Sequence, residues 1–394
     1  MENVIGNPVE GENFFGRGNE VTAIWSRLKT DNILLLAPRR VGKTSLMLRL
    51  RDEAKAAGYE VLYASVAGAQ TEVAFARTML AAIAKHAAKK TIAEKLKTSR
   101  VGGWLRRVKK IGIFSVVELE LNDEAKDHWA AIGEEIVAAL TSSGARWLLL
   151  VDEVPIFILA LLRADQSGVR ARDFLNWFRT MRQDAGNVSR VRWLLAGSIG
   201  LDTVTRRMNF GDTINDLFLY NDFGPFDDET AHAFLRKLAW SSGSTLSDEV
   251  IARVCERMQW LLPFHLQLWF NEVPRGVVVT AEVADCAYER LLLPAKKSYF
   301  DFWRQRLHEE LGRPDDARAI RILNVVAGAT QDEGVSRQTL SAVFSMDIAD
   351  IDERDRQLNY LVDVLTGDGY ISARGDRHYF RSALLHEFWR RYVV

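Results

Sequence analysis

Gly42-Lys43-Thr44 is the first place in this sequence where residue types and spacing could do chemistry. It closes the stretch Ala37-Pro38-Arg39-Arg40-Val41-Gly42-Lys43-Thr44-Ser45, between an apolar run and a segment rich in helix formers. The run Asn32–Ala37 predicts a strand buried on both faces of a parallel sheet. The segment from Thr44 predicts a helix closed by Gly58. Strand, glycine-bearing loop and helix in that order suit a phosphate. The loop N–H groups and the helix N-terminus converge on one point and favour an anion there. Lys43 would then reach β- and γ-phosphates, and the Thr44 hydroxyl would ligate Mg2+. The usual pattern begins with glycine, whereas this one begins with Ala37. Alanine serves there if its φ is negative. The bland alternative is a Gly-Lys-Thr turn with no ligand.

A phosphate loop needs a second strand that ends in acids. Trp147–Val151 is apolar and runs into Asp152-Glu153. This is a Walker B pattern, in which Asp152 would hold the metal and Glu153 would polarise the attacking water. The alternative, a strand ending in two solvated acids, leaves the agreement of two independent motifs unexplained. Tyr59–Val66, Arg192–Ala196 and Asp216–Phe223 predict further strands. The whole reads as a parallel αβα sandwich with its ligand at the carboxyl ends of the strands. Arg192–Ala196 ends in Gly197-Ser198. Ser198 is either a contact to the γ-phosphate or an N-cap or turn serine.

The order of these motifs carries a resemblance. Phe14–Val21 (FFGRGNEV), APRRVGKTSL, LLLVDEV, LLAGSIGL and Phe223–Leu235 (FGPFDDETAHAFL) follow one another. In this the chain resembles the archaeal-type P-loop ATPases near the AAA+ and STAND groups, related to the origin-recognition ATPases. The resemblance covers most of the chain. It implies an additional-strand αβα ATPase core, ATP and Mg2+ as cofactors, and an ATPase with Glu153, Lys43 and Ser198 in catalytic roles. Ser198 takes the position called sensor 1. The segment matching Phe15-Gly16-Arg17 lies by the base and ribose in the family, which implies that place for Arg17. Pro263 fits a proline of the family's lid.

Residues 227–275 are helical by periodicity and match such a lid. No sensor 2 arginine stands in WLLPFHLQLWF, which leaves His265 as a phosphate contact or a packed lid histidine. Arg206 and Arg207 are candidates for an arginine finger or a pair of surface arginines. Between the second and third strands, Lys85–Lys110 is strongly basic with Glu94 its only acid, and Ile111–Leu121 alternates like a hairpin. This insertion, about 85–125, suits nucleic acid, DNA included, an acidic partner or anionic lipid, or else a solvated helix face.

Beyond a polar stretch at Leu311–Pro314 the tail reads as a winged helix. Helices are expected over Ala317–Ala327, Val335–Phe344 (capped by Ser336) and Asp352–Gly369. A two-stranded wing follows at Tyr370–Ser382, then a closing helix. DNA readers of this kind present a basic third helix. Here Asp352, Glu353, Asp355 and Asp363 offset Arg354 and Arg356, while the wing carries Arg374, Arg377 and Arg381. We therefore expect a protein-facing or autoinhibitory module ahead of DNA binding.

The 394 residues divide into 1–225 (core), 226–312 (lid and linker) and 313–394 (winged helix). Basic and acidic side chains balance at 52 each, which argues against a surface built wholly for nucleic acid. Two cysteines give no disulfide framework, no apolar run is long enough to span a bilayer, and the N-terminus has no signal-peptide pattern. A soluble cytoplasmic protein is expected. Its leading function is an ATP-dependent switch that couples nucleotide state to a partner surface or to self-association, and the family suggests defence against mobile DNA. The alternatives are a DNA-binding ATPase like the origin-recognition proteins and a nucleotide-binding scaffold with little turnover.

Overall fold

The computed structural model describes residues 1–86, 92, 94–96, 128–197, 205, 208 and 210–394. The chain falls into two compact units. One comprises Asn19–Leu36 and Leu46–Asn221; the other comprises Met1–Gly18, Ala37–Ser45 and Asp222–Val394.

The first unit is built on a parallel sheet of β1 (Ile33–Leu36), β2 (Glu60–Ser65), β3 (Trp147–Asp152), β4 (Val191–Gly197) and β5 (Phe218–Tyr220). Their order is β2-β3-β4-β1-β5, so β4 is inserted between β1 and β3, as an additional-strand core requires. Every residue of β1 and β3 is buried. That explains why both read as continuous apolar runs rather than alternating ones. The fifth strand is shorter than the sequence predicts. Asp216 is instead engaged by the buried Arg182, whose Nε donates to Oδ2 at 2.8 Å and Nη2 to Oδ1 at 2.6 Å.

The longer helices among the described residues of this part of the chain are α1 (Gly18–Leu28), α2 (Lys43–Glu53), α3 (Glu72–Lys85), α4 (Trp129–Thr141), α5 (Val154–Ala164) and α6 (Val169–Gln183). Aromatic rings fill the core between sheet and helices. Phe157 meets Phe174 at a centroid distance of 4.8 Å, and Phe178 meets Trp193 of β4 at 4.9 Å. Edge-on pairs of this kind contribute roughly 0.5–1.5 kcal/mol each beyond their burial. Register sets the carboxyl edge: Leu36 pairs with Gly197, and Ser65 with Asp152. Gly197 must be glycine there, because a Cβ would stand 2.3 Å from Cδ of Pro155, at the start of α5.

The second unit contains α7 (Asp228–Ser242), α8 (Asp248–Met258), α9 (Pro263–Asn271) and α10 (Ala281–Leu291), with β6 (Thr245–Leu246) paired to β7 (Val278–Val279). Side chains cap three of the four helices: Asp227, Ser247 and Thr280 each accept a backbone N–H of the first turn. Then α11 (Ser298–Leu311) runs through the region the sequence left unassigned, burying Phe300, Trp303 and Leu307. The expected linker shrinks to Gly312–Pro314, where Gly312 has a φ of 67°.

The tail runs α12 (Asp315–Gly328), β8 (Val335–Ser336), α13 (Arg337–Ala342), α14 (Ile351–Gly367), the hairpin β9 (Ile371–Arg374) and β10 (Arg377–Phe380), and α15 (Ala383–Tyr392); the helix expected over Val335–Phe344 is shorter, because Val335 and Ser336 pair with the hairpin as a strand. Ser336 caps α13 by accepting the Thr339 N–H at 3.2 Å. The hairpin turns at Gly375-Asp376 with Gly375 at φ 61°, and β8 adds to it as a third antiparallel strand.

Candidate functional site

Residues 37–42 join β1 to α2, and Ala37 tolerates the first loop position because its φ is not positive. Gly42, at φ 102°, takes a conformation open to glycine. Arg40 also has a positive φ, 65°, a strained choice for a non-glycine residue. Lys43 is only 6 % exposed, and its Nζ donates to the carbonyls of Ala37 at 2.7 Å and Pro38 at 3.0 Å. The lysine thus folds back over its own loop, where an incoming phosphate would compete for it. Thr44 stands in the first turn of α2. Next to it, the Ser45 hydroxyl accepts the Val9 N–H at 3.0 Å, anchoring the N-terminal segment to the loop.

Phe15-Gly16-Arg17 forms a clasp on this loop. Gly16 has a φ of 68°, and a Cβ on it would stand 2.4 Å from Thr230 of α7. Phe15 packs on Phe226 and Phe234. Arg17 is buried between the rings of Phe223 and Phe226, 4.6 Å from each centroid. Its Nη2 donates to the carbonyls of Gly224 at 2.7 Å and Val41 at 3.4 Å. The arginine that the resemblance places by the base and ribose is thus bonded to the phosphate loop itself.

Arg40 reaches the other way. Its guanidinium lies between Phe264 of α9 and Phe302 of α11, at 4.5 and 4.7 Å, and Nη1 donates to Gly6 at 3.3 Å. Burial and neighbouring Arg39 lower its pKa. His265, one residue past Phe264, is fully buried, and neither ring nitrogen meets a hydrogen-bond partner among the described residues. Burial, then Arg40, push its pKa down to about 3, so it is a packed neutral imidazole. Pro263 occupies the first turn of α9.

The acids of β3 are held separately. Asp152 is 3 % exposed; its Oδ1 accepts the Glu153 N–H at 3.0 Å and its Oδ2 accepts the Tyr63 hydroxyl at 3.3 Å. Tyr63 is raised well above the usual phenol range, first by burial and then by Asp152, so it remains a proton donor. Glu153 has a φ of 62°, and its Oε2 is buried without a hydrogen-bond partner among the described residues. A buried carboxylate beside an unsatisfied carboxylate oxygen suits a hard, oxygen-liganded cation. Among the described residues no group of three or more His, Cys, Asp or Glu stands together as a metal cage. Mg2+ held by one or two protein oxygens and by phosphates needs none.

Ser198, Arg206 and Arg207 lie outside the described residues, as do most of Lys85–Lys110 and all of Ile111–Leu121. The wing arginines diverge. Arg377 donates to the carbonyls of Glu333 and Gly334, Arg381 turns onto Trp260, and Arg374 lies over Tyr379. Tyr63, Phe302 and Gly369 are missed by motif reading. A Cβ on Gly369 would stand 2.4 Å from Trp260 and 3.4 Å from Pro38 of the phosphate loop.

No protein-family model matches the sequence, and no curated protein matches it. Solved structures do. A Walker-type ATPase of Pyrococcus abyssi superposes with a TM-score of 0.64 at 16 % identity, over 99 % of this chain and 100 % of that one. The ORC2 protein of Aeropyrum pernix, solved as ADPNP–ADP complexes, superposes with a TM-score of 0.53 at 13 % identity, over 96 % of this chain and 95 % of that one. The chain therefore has the fold of the archaeal P-loop ATPases related to origin-recognition proteins.

Proposed function

We propose that this chain is an ATP-binding and hydrolysing molecular switch of the AAA+/STAND kind, coupling nucleotide state to a partner-binding surface. One observation carries the coupling. Within a single compact unit, the phosphate loop packs through Arg40 on Phe264 and Phe302 and through Pro38 beside Gly369. A change at the loop is therefore felt by a lid helix and by the tail at once.

In this reading the loop N–H groups and Lys43 bind the β- and γ-phosphates, and Lys43 exchanges its carbonyl partners for phosphate oxygens. Thr44 and Asp152 hold Mg2+, which when bound neutralises charge on the phosphate oxygens. Glu153 takes a proton from the attacking water, and its unsatisfied oxygen is the acceptor. Ser198 as a γ-phosphate contact, Arg206 or Arg207 as a finger, and Pro263 as a lid residue at the nucleotide complete the assignment. The working modules are 1–225, 226–312 and a winged helix at 313–394. A cytoplasmic setting and defence against mobile DNA belong to the same proposal.

The tail is assigned to a protein partner or a second copy rather than to duplex DNA. All three wing arginines are engaged internally, Arg377 on backbone carbonyls, Arg381 on Trp260 and Arg374 on Tyr379. The deciding experiment follows ATP turnover and mass in solution, for wild type and Glu153→Gln, with and without duplex DNA. Slow turnover that needs Glu153, ignores DNA and accompanies an ATP-dependent change in mass is the expected result. Turnover stimulated by DNA, with salt-dependent binding, would replace this reading by a DNA-dependent ATPase.

A further inference from the structure

We propose that Tyr63 is a positioning residue for the metal carboxylate: its hydroxyl, acting with the Glu153 N–H, fixes the plane of Asp152. The inference rests on the nucleotide reading above and names a group that no motif contains.

Three observations meet at this point. Asp152 is almost wholly buried, so bulk water cannot orient it. Each of its two oxygens accepts a donor, Oδ1 the Glu153 N–H at 3.0 Å and Oδ2 the Tyr63 hydroxyl at 3.3 Å. Tyr63 sits on the neighbouring strand, and β2 and β3 are in register from Glu60–Trp147 through to Ser65–Asp152. The hydroxyl is therefore delivered by sheet register rather than by a mobile loop. Such outer hydrogen bonds set the orientation and basicity of a ligating group. Because 3.3 Å is long for an O–H···O bond, the expected effect is a few-fold rather than orders of magnitude.

The test is Tyr63→Phe, which keeps the ring and deletes the donor. Binding of a fluorescent ATP analogue is titrated with Mg2+ and, separately, in EDTA. We expect the Mg2+ concentration for half-maximal effect to rise about 3- to 10-fold, with affinity in EDTA and the melting temperature unchanged. A purely structural role would move the EDTA affinity and the melting temperature too. Mn2+ binding without nucleotide, read by electron paramagnetic resonance, separates this inference from the nucleotide reading. Weaker Mn2+ binding in Tyr63→Phe, and none in Asp152→Asn, supports it even if no nucleotide binds. Equal Mg2+ and Mn2+ titrations for wild type and Tyr63→Phe would overturn it.

Discussion

Gly369, in the turn between α14 and β9, lies against Pro38 of the phosphate loop so closely that a Cβ would stand 3.4 Å from that of the proline. Trp260 is nearer still, and Gly369 has a φ of 87°. Gly369→Val combines left-handed strain with a steric clash. We expect a loss of roughly 2–4 kcal/mol in stability and several-fold faster release of a fluorescent ADP analogue. Denaturant unfolding and stopped-flow displacement measure the two effects. Unchanged release in a destabilised variant would uncouple the tail from the loop.

Lys43→Ala removes a cation whose partners here include two carbonyls of its own loop. Those carbonyls can turn to water or to other donors, so the melting temperature should move little. ATP affinity should fall roughly 10- to 100-fold, the weight of one charge-assisted phosphate contact. Equilibrium titration with a fluorescent ATP analogue decides this.

Glu153 has a φ of 62° at the N-cap of α5. Glu153→Gly suits that conformation and should raise stability by roughly 1 kcal/mol while abolishing turnover. Glu153→Gln retains the strain and should also abolish turnover, with ATP binding intact. A Glu153→Gly variant that is no more stable than wild type would show that the strain is relieved elsewhere.

His265 gives the protein a built-in acid sensitivity. Its folded pKa, about 3, lies below the unfolded value of 6.5. The unfolded chain therefore binds a proton that the folded one refuses, and stability is lost as pH falls from 6.5 towards 3. At pH 5 this one group should cost about 2 kcal/mol relative to pH 7.5. Arg40 is the charged neighbour that deepens the shift, after burial. His265→Phe should flatten that part of the pH profile, in urea unfolding at pH 5 against pH 7.5. Buried His386 and His378 are shifted the same way, so the difference between the two proteins isolates His265.

What the sequence makes legible here is what repeats at fixed spacing. Buried parallel strands are apolar throughout, so β1 and β3 stand out, and the residues that leave them, Lys43 and Asp152-Glu153, are located with them. The caps Asp227, Ser247 and Ser336 are local, and a serine or aspartate before an apolar period signals them. Long-range packing is different. Arg17 appears beside a nucleotide by resemblance, yet Phe223 and Phe226, some 200 residues later in the chain, take up its two faces. Nothing local marks Tyr63 either, because its partner arrives through strand register. The helix α11 escapes a motif search because its apolar stripe serves the interior of the fold and not a recognisable site.

Inserting β4 between β1 and β3 also sets a distance. Strands in a sheet lie about 4.8 Å apart. The carboxyl ends of β1 and β3 are therefore held roughly 9–10 Å from one another. That gap is too wide for a direct contact between the two strands. The backbone ladder thus acts as a ruler, and its length does not depend on any side chain in the site.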